Sequence, residues 1–142
     1  MKNELFLMLK YIVLLCVGGT IYCILELLYR GRTHWTMFIV GGICFVFCGL
    51  INEVIPKDTV IWWQAAIGAV GITFIEFISG VIINLILGWN VWDYSNLPFN
   101  ILGQISLVFS ALWYILALFA IVLDDWLRYW LFGEEKPHYR LK

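Results

Sequence analysis

One carboxylate lies where charged side chains are rare, near the middle of an apolar stretch of about residues 60–87. Glu76 has no basic residue within a helical turn, and Ser79 and Asn84 follow it in the same stretch. Inside a membrane such a glutamate must be protonated, paired across the protein or open to a water-filled cavity, and intramembrane carboxylates mark functional sites by default. Together with Gln104, these residues form a candidate buried polar centre. The alternative is a neutral glutamate that hydrogen-bonds a neighbouring helix.

A second polar group falls near one end of the apolar stretches, and its arginines could bind a carboxylate or phosphate through their planar forks. It comprises Glu26, Arg30, Arg32, His34, Asp93 and Asn96. The alternative is structural: Glu26 pairs with Arg30 at the i,i+4 spacing, and an arginine pairs with Asp93 to hold two loops together. A lone histidine beside Trp35 is likewise more typical of a membrane interface than of a ligand.

A third polar group is predicted at the opposite end, and it comprises Glu53, Asp124, Asp125 and Arg128. Asp124 and Arg128 stand four residues apart, the spacing of a helical ion pair. Glu53 ends the second apolar stretch, so a membrane boundary is the simpler alternative to a functional role. The four cysteines lie inside apolar stretches, and we interpret them as small buried hydrophobic residues. No metal ion and no cofactor is predicted.

The composition assigns the chain to the membrane proteins. Hydrophobic residues make up 63% of the 142 residues and charged residues 13%, whereas soluble domains are near half apolar and a quarter charged. A fold of this size cannot hide so much apolar surface in its own interior. Nine Lys and Arg against ten Asp and Glu, with no basic stripe, exclude a nucleic-acid-binding protein.

The predicted elements are four membrane-spanning helices, because a helical span takes roughly 20 mostly apolar residues. Helices also satisfy their own backbone hydrogen bonds in lipid. We therefore predict an all-α fold, an integral membrane four-helix bundle with a short C-terminal interfacial helix. Within a single domain, 1–142, the spans are about 11–28, 35–51, 60–87 and 97–123, and an interfacial helix end follows at 124–133.

The connection before the fourth span is rich in aromatic and polar residues from Trp89 to Asn100. Ser95 or Asn96 is expected to cap the fourth helix, with Pro98 in its first turn. Use at the membrane interface explains most of this composition. The alternative is a loop that folds back into the bundle.

Small and polar residues recur along the fourth span at spacings of three and four, which places them on one helix face. They are Gly103, Ser106, Ser110, Trp113, Ala117, Ala120 and Asp124. Because small residues let helix backbones approach each other in lipid, this face is predicted to contact the other helices.

The distribution of positive charge predicts the orientation. Seven Lys and Arg residues fall on the side of the two termini, against Arg30 and Arg32 alone on the other side. The positive-inside rule then places both termini in the cytoplasm of a multi-pass cell-membrane protein.

Motifs of common enzymes are absent. The sequence has no Walker A motif, no His-Glu-x-x-His and no Gly-x-Ser-x-Gly, and its only histidines are His34 and His138. Nucleophilic or metal-dependent catalysis of a standard kind is therefore not expected. We predict a protein that is not an enzyme, and a lipid-modifying enzyme built on carboxylates is the weakest alternative.

Four stretches of the sequence carry a resemblance to a known family. They are residues 26–35, 76–84, 92–104 and 124–128, with the runs Glu26-Leu27-Leu28-Tyr29-Arg30-Gly31-Arg32, Glu76-Phe77-Ile78-Ser79-Gly80 and Trp92-Asp93-Tyr94-Ser95-Asn96-Leu97-Pro98 among them. In these runs the chain resembles the CmpB-type putative ABC-transporter type IV family of small bacterial membrane proteins. The resemblance implies a permease subunit, and ATP coupling would then require a separate ATPase subunit.

Three functions follow from these observations. The leading one is a small permease-like or transport-associated membrane protein, in which the buried polar centre forms the site and the second polar group its outer entrance. The second is an accessory protein that conducts nothing and binds lipid or partner helices. The third is the lipid-modifying enzyme. Expected partners are membrane lipids, a second copy of the chain and the separate ATPase subunit, with no nucleic acid.

Overall fold

A computed structural model describes residues 2–56 and 58–142 of the chain. In these ranges four helices are long and apolar enough to cross a membrane, which confirms the all-α four-helix class. The elements are α1 (Lys2–Arg30), α2 (Trp35–Val54), α3 (Ile61–Gly80) with a π-helical segment directly after it (Val81–Ile86), β1 (Asn100–Ile101), β2 (Ile105–Ser106) and α4 (Leu107–Phe132).

The helices form two hairpins, since α1 packs along α2 and α3 packs along α4. Helix α2 also contacts both α3 and α4 and therefore occupies the centre of the bundle. An ion pair between Lys10 and Glu134 shows that both termini lie at one end. We call this end the terminal end. The opposite end, which carries β1 and β2, is called the hairpin end.

Glycines allow α1 and α2 to approach closely. A Cβ atom at Gly19 would collide with the main-chain oxygen of Phe38, and one at Gly42 would collide with the main-chain oxygen of Leu15. Small residues at such crossings replace the hydrophobic drive that lipid cannot supply. The α1–α2 hairpin therefore depends on having no side chain at these two positions.

The substitution Gly42→Val is expected to lower the free energy of unfolding by about 1–3 kcal/mol, because the helix backbones must separate to admit the side chain. Thermal unfolding of the purified protein in detergent measures the effect. Cys16→Val is the matched control, since Cys16 is an exposed small residue on the same pair of helices. Equal unfolding midpoints for the two variants would contradict the close approach.

The fourth helix begins ten residues later than the predicted span. Residues 97–106 form turns and a short antiparallel hairpin in which Asn100 pairs with Ser106. The backbone has positive φ at Phe99, Leu102 and Gly103, a conformation incompatible with a helix. The predicted caps at Ser95 and Asn96 are therefore wrong.

Ser106 is the residue that caps α4, and its hydroxyl accepts a hydrogen bond from the Phe109 amide at 3.2 Å. The helix then continues without interruption to Phe132 and ends at Gly133, which has a left-handed backbone. Residues 124–132 are thus the last turns of α4, and no separate interfacial helix follows it within the described part of the chain.

Candidate functional site

The Glu76 side chain is buried on α3, with 6% of its surface exposed. The Tyr94 hydroxyl lies 2.9 Å from Oε2 and the Trp113 indole Nε1 lies 3.1 Å from Oε1. One partner comes from the loop after α3 and the other from α4. The carboxyl is therefore held by neutral hydrogen-bonding groups and not by a basic side chain.

This arrangement is compatible with either protonation state of Glu76. The Trp113 N–H can only donate, whereas a tyrosine hydroxyl can donate or accept. Burial raises the pKa of Tyr94 far above its usual range, and the nearby Glu76 carboxylate adds to the rise. Tyr94 therefore stays a neutral hydroxyl that donates to an ionised carboxylate or accepts from a protonated one.

The loop between the π-helical segment and α4 folds back into the bundle, as the alternative interpretation of its composition proposed. Val91 and Trp92 are buried. The Asn84 side chain accepts a hydrogen bond from the Val91 amide at 2.7 Å and donates to Gln104 Oε1 at 2.8 Å. The Trp92 indole donates to the main-chain oxygen of Gln104 at 3.0 Å. This network positions Tyr94 over Glu76.

The predicted buried polar centre consequently separates into two sites. Glu76 bonds to Tyr94 and Trp113, while Asn84 and Gln104 hold the loop. Ser79 is half-buried and has no hydrogen-bond partner in the described ranges. Sequence reasoning did not identify the two partners of Glu76, although Trp113 lay on the small-residue face of the fourth span and Tyr94 in the loop with aromatic and polar residues.

At the hairpin end, the predicted pair of Glu26 and Arg30 is confirmed at 2.6 Å. The Thr33 hydroxyl donates to the same carboxylate at 2.7 Å, and Arg30 Nη1 donates to the main-chain oxygen of Val91 at 2.9 Å. The loop is thus joined to α1, but through Val91. The pairing of an arginine with Asp93 is wrong.

The remaining members of the second polar group lie apart from this pair. Asp93 is exposed and accepts a hydrogen bond from the Ser95 amide, which holds the pKa of its carboxyl below the usual range. His34 caps α2, because its Nδ1 accepts a hydrogen bond from the Thr36 amide at 3.2 Å. Arg32 and Asn96 are exposed. The six residues therefore do not converge on a common ligand.

At the terminal end, Arg128 is buried among carboxylates. Its Nε lies 2.8 Å from Asp124 Oδ2, which confirms the predicted pair, and its Nη1 lies 2.5 Å from Glu53 Oε1. Asp124 is fully buried. A third carboxylate, Glu134, lies 3.8 Å from Nη1. Arg128 is therefore the central cation of this end of the bundle.

The C-terminal tail crosses the same end and adds contacts that sequence reasoning missed. Tyr139 donates to Asp125 Oδ2 at 3.0 Å, and the Asn52 amide donates to Asp125 Oδ1 at 2.9 Å. Burial raises the pKa of Tyr139, and Asp125 adds to the rise. The tail, α2 and α4 line an open cavity of about 150 Å³, and Gln64 of α3 adds to its wall. No local sequence pattern indicates these contacts.

A groove lies on the lipid-facing side of the bundle between α1 and α4, which have no extended packing contact in the described structure. It contains an apolar cavity of about 150 Å³ and an adjoining one of about 100 Å³. We call the whole depression the lateral groove and the smaller cavity the aromatic chamber. Both cavities are lined by Tyr22, Leu25, Met37, Glu76, Trp113 and Leu116.

Aromatic pairs bring α1 and α4 together at the two ends of the lateral groove. Phe6 and Phe132 meet at the terminal end with ring centroids 6.0 Å apart, and Tyr29 and Phe109 meet at the hairpin end at 6.3 Å. Glu76 lies at the floor between them. In residues 2–56 and 58–142, no group of three or more His, Cys, Asp or Glu is arranged to hold a metal ion.

Four membrane-length helices around a buried carboxyl define a small polytopic helical membrane protein. The family model described as "Putative ABC-transporter type IV" matches residues 4–133, and the chain belongs to this family. The match confirms the resemblance carried by the four sequence stretches. No curated protein and no solved structure matches the chain.

Proposed function

We propose that this protein is a permease-like, transport-associated membrane subunit that receives a molecule with an apolar chain from the bilayer into the lateral groove. The observation that carries the proposal is the groove between α1 and α4, with the Glu76 carboxyl at its floor. Leu25 and Phe119 stand at its rim and are exposed. A molecule dissolved in the bilayer would therefore reach the floor without crossing water.

Glu76 is the polar recognition group of this proposal. Placing an ionisable side chain inside a membrane costs free energy, and such side chains usually face the interior of the bundle or a cavity with a functional role. Tyr94 and Trp113 each occupy one carboxyl oxygen. Each oxygen has further lone pairs for a ligand, so binding does not require these two hydrogen bonds to break.

The proposal assigns no catalytic step to the chain. Energy for transport would come from a separate ATPase subunit, as the family description suggests. We also propose that the terminal end faces the cytoplasm, because the positively charged residues concentrate there. Native mass spectrometry after mild extraction tests the partner. An ATPase in fixed stoichiometry supports the transport role, and a chain that carries only lipid supports the accessory role.

Occupancy of the lateral groove is tested by photolabelling. The protein in lipid nanodiscs is irradiated with an uncharged long-chain alcohol that bears a diazirine, and the labelled peptides are identified by mass spectrometry. We expect labels on the groove walls of α1 and α4. The substitution Ala120→Trp places a large ring in the groove and should reduce this labelling to the level found on exposed helix faces.

Ala111→Trp is the matched control, because Ala111 lies on the same helix and is exposed. It should leave the groove labelling unchanged. Equal labelling of the two variants and the unmodified protein would contradict the proposed site. An altered lipid profile in cells that lack the protein would support the alternative of a lipid-modifying enzyme. It would contradict the transport role that we propose.

A further inference from the structure

We propose that the ligand of the lateral groove is a lipophilic organic cation, with its ammonium head group in the aromatic chamber beside Glu76 and its apolar chain along the rest of the groove. This inference rests on the proposed function and adds the chemical class of the ligand. It is carried by the rings that line the chamber, by the balance of charge in it and by its depth in the bundle.

The lining of the chamber contains six aromatic side chains. They are Tyr22, Tyr29, Trp92, Tyr94, Phe109 and Trp113. Ring faces carry negative electrostatic potential, and cages of such rings are a recurring way of recognising ammonium groups. A cavity that served only a hydrocarbon chain would have no need of this enrichment, because aliphatic side chains fill the same role.

The fixed charges of the chamber favour a cation over an anion. Its lining contains two carboxyl groups, those of Glu26 and Glu76, and one guanidinium, that of Arg30. Arg30 pairs with Glu26 through Nη2 and donates from Nη1 to the main-chain oxygen of Val91, so within the described residues only its buried Nε has no partner. Glu76 has only neutral partners, and a buried ionised carboxylate is strongly disfavoured without a cation. A bound ammonium group would supply that cation.

The depth of Glu76 excludes a phospholipid head group as the source of the ammonium. The span that contains it runs from Ile61 to Ile86, so at 1.5 Å per residue Glu76 lies only about 4 Å from the middle of the span. An aminophospholipid would have to bring its phosphate into the bundle as well, where the one guanidinium of the chamber, Arg30, is already paired with Glu26. The ligand is therefore a cationic amphiphile without phosphate.

The experiment compares photoreactive probes on the complete protein in nanodiscs. One probe is a diazirine-bearing alkyltrimethylammonium, and the other is its uncharged isostere, in which a quaternary carbon replaces the nitrogen. We expect the cation to label the chamber peptides more strongly than the isostere. The isosteric substitution Glu76→Gln should reduce cation labelling by about tenfold or more and leave labelling by the isostere unchanged.

Tyr22 provides a second test that does not depend on Glu76. Tyr22→Leu removes a ring that lines the chamber, whereas Tyr22→Phe retains it. We expect Tyr22→Leu to reduce cation labelling by about fivefold and Tyr22→Phe to preserve it, with the isostere unaffected by either change. A role of Tyr22 in packing alone would alter labelling by both probes together.

The outcomes separate this inference from the proposed function. If neither probe labels the groove, both proposals are wrong. If the two probes label it equally and Glu76→Gln has no selective effect, the groove stands as a binding site and the cationic ligand is wrong. If an aminophospholipid probe labels the chamber in a manner that depends on Glu76, the exclusion of phospholipids is overturned.

Discussion

Replacing Arg128 by methionine is expected to lower the free energy of unfolding by about 3–5 kcal/mol, the usual cost of removing one partner from a buried ion pair. The Arg128 side chain is 5% exposed and Asp124 is fully buried. Methionine preserves most of the volume but leaves the Asp124 carboxylate without its cation. The contacts to Glu53 and Glu134 are lost at the same time.

Equilibrium unfolding in mixed micelles measures this effect, and two further variants define its cause. Arg32→Met is the control, because Arg32 is exposed at the hairpin end, and it should change stability little. Adding Asp124→Asn to Arg128→Met should restore part of the lost stability, since no charge is then left buried at Asp124. Similar losses for Arg32→Met and Arg128→Met would refute the central role of Arg128.

The second large effect is expected for Asn84→Leu, which should release the loop that holds Tyr94. Asn84 satisfies the Val91 amide and Gln104 Oε1, and leaving a buried polar group unpaired costs about 1–3 kcal/mol for each group. The loss is local, so the four helices should persist. The Trp92 indole and the Tyr94 hydroxyl would then lose their fixed positions.

Hydrogen exchange detects this release, because the amides of residues 89–95 should exchange faster in Asn84→Leu than in the unmodified protein. Asn96→Leu is the matched control, since Asn96 lies in the same loop and is exposed. Unchanged exchange at the Val91 amide would show that the loop is held by other contacts. Release of Tyr94 should also weaken binding in the aromatic chamber, which connects this prediction to the proposed site.

Local patterns predicted the interactions that lie within one helix or one helix face. Glu26 with Arg30 and Asp124 with Arg128 were evident because residues four apart meet on a helix surface. The small-residue face of the fourth span predicted the burial of Trp113. In contrast, its first two members, Gly103 and Ser106, lie before α4. The prediction placed them on the helix because the apolar residues around them continue the helical pattern through the hairpin.

Contacts between distant residues could not be read from spacing. Glu53 and Arg128 are 75 residues apart, and Arg30 and Val91 are 61 apart. Residues 97–106 are apolar enough to resemble the start of a span, so hydropathy did not distinguish this hairpin segment from the fourth helix. The C-terminal tail likewise carries no pattern that predicts its return across the terminal end.

The sequence by itself determined the class of protein, the number of helices and the residues most worth testing. Hydropathy is averaged over about 20 residues, so a few polar residues do not hide a membrane-spanning helix. A glutamate within such an apolar stretch is easily recognised. Only the tertiary structure decided that Glu76 faces Tyr94 and Trp113 in a groove between α1 and α4. That groove exists because α2 packs against the other three helices while α1 and α4 meet only through aromatic pairs at its two ends. Such packing depends on side-chain shapes across the whole bundle.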